Sequence, residues 1–346
     1  MVQPAHTAPH PRRALSPAVA VLLCAAVAAV ALLLVKWLPY GAKTATLLGT
    51  HTWEGGSLLD TGQGPSLRAG WDFLVRYGEA VWPALVAAVV IGAAAETLLP
   101  RDWVGRVLGP GRTVNGALLA VPSMMCTCCT APIVNALRRS GAGLRPTVAY
   151  WLGNPVLNPF VLAFLLLVGP WQWAATRLAV GALLVAGVSA LAGRLARGGH
   201  PAGLDGVPGL PPEPAGRRFT GALARFAVVL IPEYAILVFA VGALRGWLFP
   251  FADGAGVPVL AAVALAAVLG TLAVIPTAGE IPVLLALATA GAAPAIGGAL
   301  LITLPAVSLP SMVMVGRALG WRVTTVVGGG VAAAGAASAA LLTVLS

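Results

Sequence analysis

Three of the four cysteines in this chain fall within four residues, in the run Cys126-Thr127-Cys128-Cys129-Thr130-Ala131-Pro132. Thiols gathered beside a helix-breaking Pro are available to a soft ligand such as As(III), Cu(I) or Zn(II). A helix starting just after them adds a positive dipole end that suits a thiolate or another anion. The spacing is not a zinc-finger framework, because neither a second Cys-x-x-Cys nor a His pair accompanies it. Cys24, alone in an apolar run, reads as a small buried side chain. A second candidate is Glu280, in the stretch PTAGEIP; a carboxylate inside a membrane is costly and marks a pathway or a proton relay, unless water reaches it. Glu233, near the start of a span, is a further coupling candidate, as is Glu96 near the end of its span, and both also read as interfacial. A third candidate group is Asn154-Pro155-Val156-Leu157-Asn158-Pro159, with Ser308 in the equivalent place later in the chain. Prolines four apart free backbone carbonyls, and Asn154 and Asn158 offer donors and acceptors either to a solute or to neighbouring helices.

The elements that must position these groups are membrane spans. Of 346 residues, 59% are hydrophobic and 9% charged, with a mean hydropathy of +0.91. Soluble domains carry roughly a quarter charged residues, so a water-facing globule, a disulfide scaffold and a disordered regulator are all excluded. The net charge of +10 does not indicate a nucleic-acid partner, because the Arg residues sit singly or in pairs between apolar runs. Such placement is an orientation signal for insertion.

Apolar spans are predicted at 18–35, 77–99, 146–168, 172–193, 221–249, 294–315 and 323–345. The first is longer than the apolar core of a signal peptide and ends at Lys36-Trp37, read as an interfacial anchor. Residues 40–70 read as an external loop, and the Pro- and Gly-rich 196–217 as a linker between halves. Tyr40, Trp71, Trp82, Trp171, Trp173, Trp247 and Trp321 fall near span ends. The stretch 115–140 has two arms, each too short to cross about 30 Å of hydrocarbon at about 1.5 Å per residue; it reads as a re-entrant hairpin broken at Cys126–Pro132. The stretch 256–291 reads the same way, although its first arm is long enough to cross.

The halves match at an offset of 150: Pro132 on Pro282, Gly141 on Gly291, Pro155 on Pro305, Gly92 on Gly242 and Pro100 on Pro250. With both hairpins re-entrant, fifteen Arg fall on the cytoplasmic side and six bases outside: Lys36, Lys43, Arg68, Arg76, Arg177 and Arg245. Each half then holds three spans and a hairpin, and an odd number inverts the second copy. The fold class is therefore an all-α integral membrane protein with an inverted repeat, about seven spans and two re-entrant hairpins; eight or nine spans is the alternative. The divisions are 1–70 (first span and loop), 71–195 (first repeat), 196–217 (cytoplasmic linker) and 218–346 (second repeat).

The stretches VPSMMCTCCTAPIVNALRRSGA, AYWLGNPVLNP and VIPTAGEIPVLLALATAGA resemble the ArsP/YraQ-type predicted permeases, over about residues 75 to 345. The resemblance implies a multi-span inner-membrane protein, with efflux of trivalent organoarsenicals or metal ions as the associated activity. It places substrate or metal contact at Cys126 and Cys128. One departure is Cys129, where the family pattern has Gly.

The function expected is a secondary transporter exporting a soft, thiol-reactive solute. Its contacts would be Cys126, Cys128, Cys129, Asn154, Asn158, Glu280 and Ser308, with Glu280 and Glu233 for coupling. No Walker motif is present. A channel-like pore for a small solute and an intramembrane thiol or sulfur-handling protein are the alternatives; all four His lie outside the spans, so none partners a thiol there. No enzyme activity and no cofactor are expected. The partners are the bilayer and a small-molecule or ion substrate, with no nucleic acid, and a homo-oligomer stays open. The N-terminus and the linker are expected in the cytoplasm.

Overall fold

The computed structural model describes residues 16–54, 66–197, 215–248 and 258–346. Most of the linker, part of the 40–70 loop, and the readings placed on Arg12, Arg13 and the Trp247 and Arg245 side chains lie outside the described residues. Among the described residues every regular element is helical.

Helix α1 (Pro17–Leu32) opens on a Ser16 cap with Pro17 at its first position, where a missing N–H is harmless. It continues through a π turn (Leu33–Trp37) into α2 (Leu38–Thr50). The apolar run therefore does not end at Lys36-Trp37, and the segment up to Thr50 is helix rather than loop. A π turn re-registers the backbone bonds just ahead of Pro39, which has no N–H to offer. Lys36 is not an interfacial anchor: it is 3% exposed.

Beyond lie α3 (Leu67–Leu98), the short α4 (Arg101–Val107), α5 (Thr113–Ser123), α6 (Thr127–Arg139), α7 (Leu144–Val156), α8 (Pro159–Val168) and α9 (Trp171–Arg197). The second half holds α10 (Ala215–Leu248), α11 (Val259–Leu272), α12 (Glu280–Thr289), α13 (Pro294–Ala306), α14 (Leu309–Leu319) and α15 (Trp321–Leu345). Six described helical stretches are long and apolar enough to cross a membrane, and a seventh is reached if the pair α13–α14, bent by 48°, counts as one span. These stretches coincide with the seven that the hydropathy pattern predicts. α11 has 14 residues, about 21 Å at 1.5 Å each, so the expectation that this arm is long enough to cross fails within the described residues.

Exposed apolar side chains cover the outside, among them Leu183 at 74% and Val344 at 84%. Lipid is the solvent such a surface needs. Trp71, Trp82, Trp171 and Trp321 also face outward, whereas Trp173 is buried.

The offset of 150 runs through the architecture. α7 and α13 begin and end 150 residues apart. α6 and α12 both end on the same cap: Ala142 N–H bonds Leu137 O and Ala292 N–H bonds Leu287 O, each at 2.9 Å. Gly141 and Gly291 take left-handed φ values of 96° and 73° there, the conformation this cap needs and only Gly adopts freely. Asn158 and Ser308 cap the matching helices α8 and α14. In the centre α3 packs on α10, α7 on α13 and α9 on α15. Each of these central helices thus meets its own counterpart 150 residues away.

Candidate functional site

The first break lies at Met124–Cys126, one turn before the expected Cys126–Pro132. Met124 is left-handed (φ 48°) and α6 already starts at Thr127. Pro132 is inside that helix, packed where Gly92 of α3 lets the two backbones approach: a Cβ at Gly92 would stand 3.2 Å from Pro132 O. The freed backbone groups of the break are satisfied from three directions. Asn154 Oδ1 accepts from Met125 N–H at 3.2 Å, Asn158 Nδ2 donates to Met124 O at 3.2 Å, and Trp37 Nε1 donates to Pro122 O at 2.8 Å. Asn158 Oδ1 also accepts from the N–H groups of Phe160 and Val161. Irregular backbone at membrane depth requires such partners. Both Asn side chains thus hold the break in place, and both are fully buried.

The thiols do not act as one cluster. Cys126 caps the start of α6, and its thiol lies 3.1 Å from that of Cys129; Cys128 turns away to Ser308 Oγ (3.4 Å), Thr127 Oγ1 (3.6 Å) and Tyr77 OH (3.9 Å). Residues three apart share a helix face and residues two apart do not, so the structure pairs Cys126 with Cys129, not with Cys128. All three are free thiols. Two sulfurs on one ion, with bonds of about 2.3 Å at a tetrahedral angle, stand about 3.8 Å apart, so this pair needs only a small parting to hold one soft centre. Among the described residues no group of three or more His, Cys, Asp or Glu side chains is gathered to hold a metal ion.

The second break spans Ala273–Gly279 and ends at Glu280, the first residue of α12. Tyr77 OH donates to Ile275 O at 3.2 Å in this break and lies 3.9 Å from the Cys128 thiol just past the first one. Lys36 Nζ donates to Thr277 Oγ1 at 3.0 Å, and Tyr40 OH to Thr277 O at 3.5 Å. Glu280 is 1% exposed and ion-paired with Arg177, which is wholly buried. Arg177 is thus not an external base. It also donates to Val156 O (3.1 Å) and Pro155 O (2.7 Å), the carbonyls bared where α7 gives way to α8. One side chain therefore ties the Asn-Pro break of the first half to the second hairpin. The other oxygen of Glu280, Oε2, has no hydrogen-bond partner among the described residues.

Cys126, Thr127, Arg177, Thr277, Glu280 and Pro305 help line one small cavity, with room for about one water molecule. Ser308 borders it through Thr127, at 3.1 Å. Glu233 is not among its lining residues; it pairs with Arg317 at 3.4 Å. Glu96 likewise pairs with Arg139 (3.5 Å) and Arg225, joining α3, α6 and α10. Sequence reasoning missed Lys36, Tyr77 and Arg177 as parts of the site. For the two cations the available signal was a charge at the edge of an apolar run, which is also what an interfacial anchor looks like.

Six to seven apolar spans and two pairs of short helices, broken beside a shared polar cavity, define a polytopic membrane protein. Residues 71–194 match a family described as "Predicted permease", ArsP_1. The chain is also 38% identical over 289 residues to the UPF0718 protein YraQ of Escherichia coli (strain K12), covering 82% of this chain and 83% of that protein. It belongs to the ArsP/YraQ-type predicted permease family. No solved structure matches it.

Proposed function

We propose that this permease is a secondary transporter that exports a soft, thiol-reactive solute, a trivalent organoarsenical or a metal ion, from the cytoplasm across the inner membrane. The observation that carries the reading is the buried Cys126–Cys129 thiol pair, 3.1 Å apart, whose Cys126 lines a cavity shared by both breaks. Two thiols on one helix face bind a soft centre together, where a lone buried Cys is merely apolar packing. Cys128 and Ser308 stand next to the pair and shape its surroundings. Asn154 and Asn158 hold the broken backbone that presents Cys126.

The short helices α5–α6 and α11–α12 are re-entrant hairpins, and the second half is an inverted copy of the first. The shared offset and the pairing of each central helix with its counterpart support this arrangement. Removing the buried Lys36 and Arg177 from the outer bases sharpens the charge asymmetry that puts the N-terminus and linker in the cytoplasm. Glu280, with one carboxylate oxygen unpartnered, is the coupling group. Glu233 and Glu96 brace helix ends instead. A cavity with room for about one water fits a carrier whose walls must part better than a standing pore.

The test is a strain lacking this permease, complemented with wild type, Cys126→Ser, Cys129→Ser or the double variant at equal protein level. Growth is then scored against trivalent arsenicals and soft metal ions. Wild type should restore resistance to at least one class, and the double variant to none. Equal protection by the double variant refutes the thiol site.

A further inference from the structure

The N-terminal helix lies outside the duplicated unit, yet consecutive residues of its π turn reach both breaks. Trp37 bonds Pro122 O beside the first break and Lys36 bonds Thr277 in the second. π turns concentrate at functional sites because they aim side chains that a regular helix would not. Lys36 has no carboxylate within ion-pair distance among the described residues, although the other two buried charged side chains, Arg177 and Glu280, pair with each other. Its ammonium stands instead 5.0 Å from the centroid of the Tyr40 ring, and a buried ammonium is costly to keep without such partners.

Thr277 occupies a particular place. Pro276, Thr277 and Ala278 line the thiol cavity on one side. On the other they line a second, larger cleft of about 330 Å³ walled by Tyr40, Lys43, Trp53 and Phe164. These three residues are therefore the partition between the two spaces. The partition is held in a tense shape, since Ala278 has φ 67°, a left-handed value that strains a non-Gly residue. Its own backbone bonds, Gly279 N–H to Pro276 O and Ile281 N–H to Ala278 O, fold the segment, and the N-terminal helix pins it from outside: Lys36 on the Thr277 side chain and Tyr40 on its carbonyl.

We propose that Thr277 is the gate between the outer cleft and the thiol cavity, and that Lys36 is the positioning residue that keeps it shut. The proposal rests on the transport reading only in making the cavity a place that solutes enter. The gate needs no covalent step: releasing two hydrogen bonds lets the strained Pro276–Gly279 segment relax and joins the two spaces.

The experiment measures alkylation of single cysteines by a small membrane-impermeant maleimide, on purified protein reconstituted in vesicles, with peptide mass spectrometry as readout. Cys126 lies behind the partition. Cys24, buried on α1 of the same helix and outside both spaces, reports on loosening of that helix as a whole. The variants are Lys36→Met, Lys36→Arg, Thr277→Val and the Lys36→Met/Thr277→Val pair. Lys36→Met and Thr277→Val should each speed Cys126 alkylation at least about tenfold, the factor set by about 1.4 kcal/mol, near the low end for a hydrogen bond to a charged group. The double variant should be no faster than either single one, Lys36→Arg should stay slow, and Cys24 should be unchanged in all. Thr277→Val is nearly isosteric and keeps the assay open if Lys36→Met accumulates poorly. Unchanged Cys126 rates, additive effects, or Cys24 rising in step with Cys126 overturns the gate. Labelling requires no transported solute, so a positive result alongside absent flux would sink the transport reading and leave the gate standing.

Discussion

Replacing Arg177 by Met should be among the most destabilising single changes in this protein, and its effect should depend on Glu280. Arg177 makes three buried contacts: the ion pair with Glu280 and hydrogen bonds to Val156 O and Pro155 O. Removing one partner of a buried pair costs about 3–5 kcal/mol because the remaining charge is stranded. Leaving the two carbonyls unpaired adds roughly 1–3 kcal/mol each where water does not reach them. Glu280→Gln keeps an acceptor for the guanidinium and leaves both carbonyl bonds intact, so its cost should be nearer about 2–3 kcal/mol. The Arg177→Met/Glu280→Gln protein holds no stranded charge, and its destabilisation should fall short of the sum by at least about 1.5 kcal/mol. The assay is unfolding of the four purified proteins in one detergent, followed by helical circular dichroism. If Arg177→Met does not accumulate, Arg177→Gln takes its place in the cycle, since it too removes the charge and can still donate to a bared carbonyl. Additivity within about 0.5 kcal/mol would mean that Arg177 and Glu280 do not act as a pair, and would refute the reasoning.

Asn158→Ser should be milder than Asn158→Ala, because Ser can still cap α8, as Ser308 caps α14; thermal unfolding should separate the two by about 1 kcal/mol. A dithiol-bridging reagent such as phenylarsine oxide should join Cys126 to Cys129 and leave Cys128 free. Intact-protein mass spectrometry should therefore find the bridge in Cys128→Ser and not in Cys129→Ser; the reverse pattern contradicts the thiol geometry. Gly141→Ala and Gly291→Ala should each cost roughly 1–2 kcal/mol at matching helix ends, and neutral behaviour at either would argue against equivalent caps. A Cys introduced at Asp205 should react with impermeant maleimide only from the cytoplasmic side, and labelling from outside would contradict the proposed orientation.

The apolar spans were legible because length and apolar content suffice to define them, and the matching helix ends because Gly141 and Gly291 mark the same cap twice. The break was misplaced toward Pro132 because a Pro is the strongest local signal. In the folded protein, that Pro is absorbed into α6, and Met124 makes the turn with help from Asn154 and Asn158, residues about thirty positions away. The thiol pairing turned on one fact invisible without the break: once α6 starts at Thr127, helical phase joins Cys126 to Cys129 and sends Cys128 toward Ser308. Lys36 and Arg177 look like interfacial charges in sequence. Each is drawn inward by polar groups in the distant second break, and Arg177 also by the bared carbonyls of Pro155 and Val156. Such partners exist only after the two halves have packed.

The most direct test is flux. Purified wild type and Cys126→Ser/Cys129→Ser are reconstituted at equal density in proton-loaded vesicles, and accumulation of a trivalent arsenical or a soft metal ion is followed with time. Wild type should accumulate solute in a gradient-dependent way, and the double variant should not exceed empty vesicles. Equal accumulation by both proteins would contradict a thiol-lined transport site.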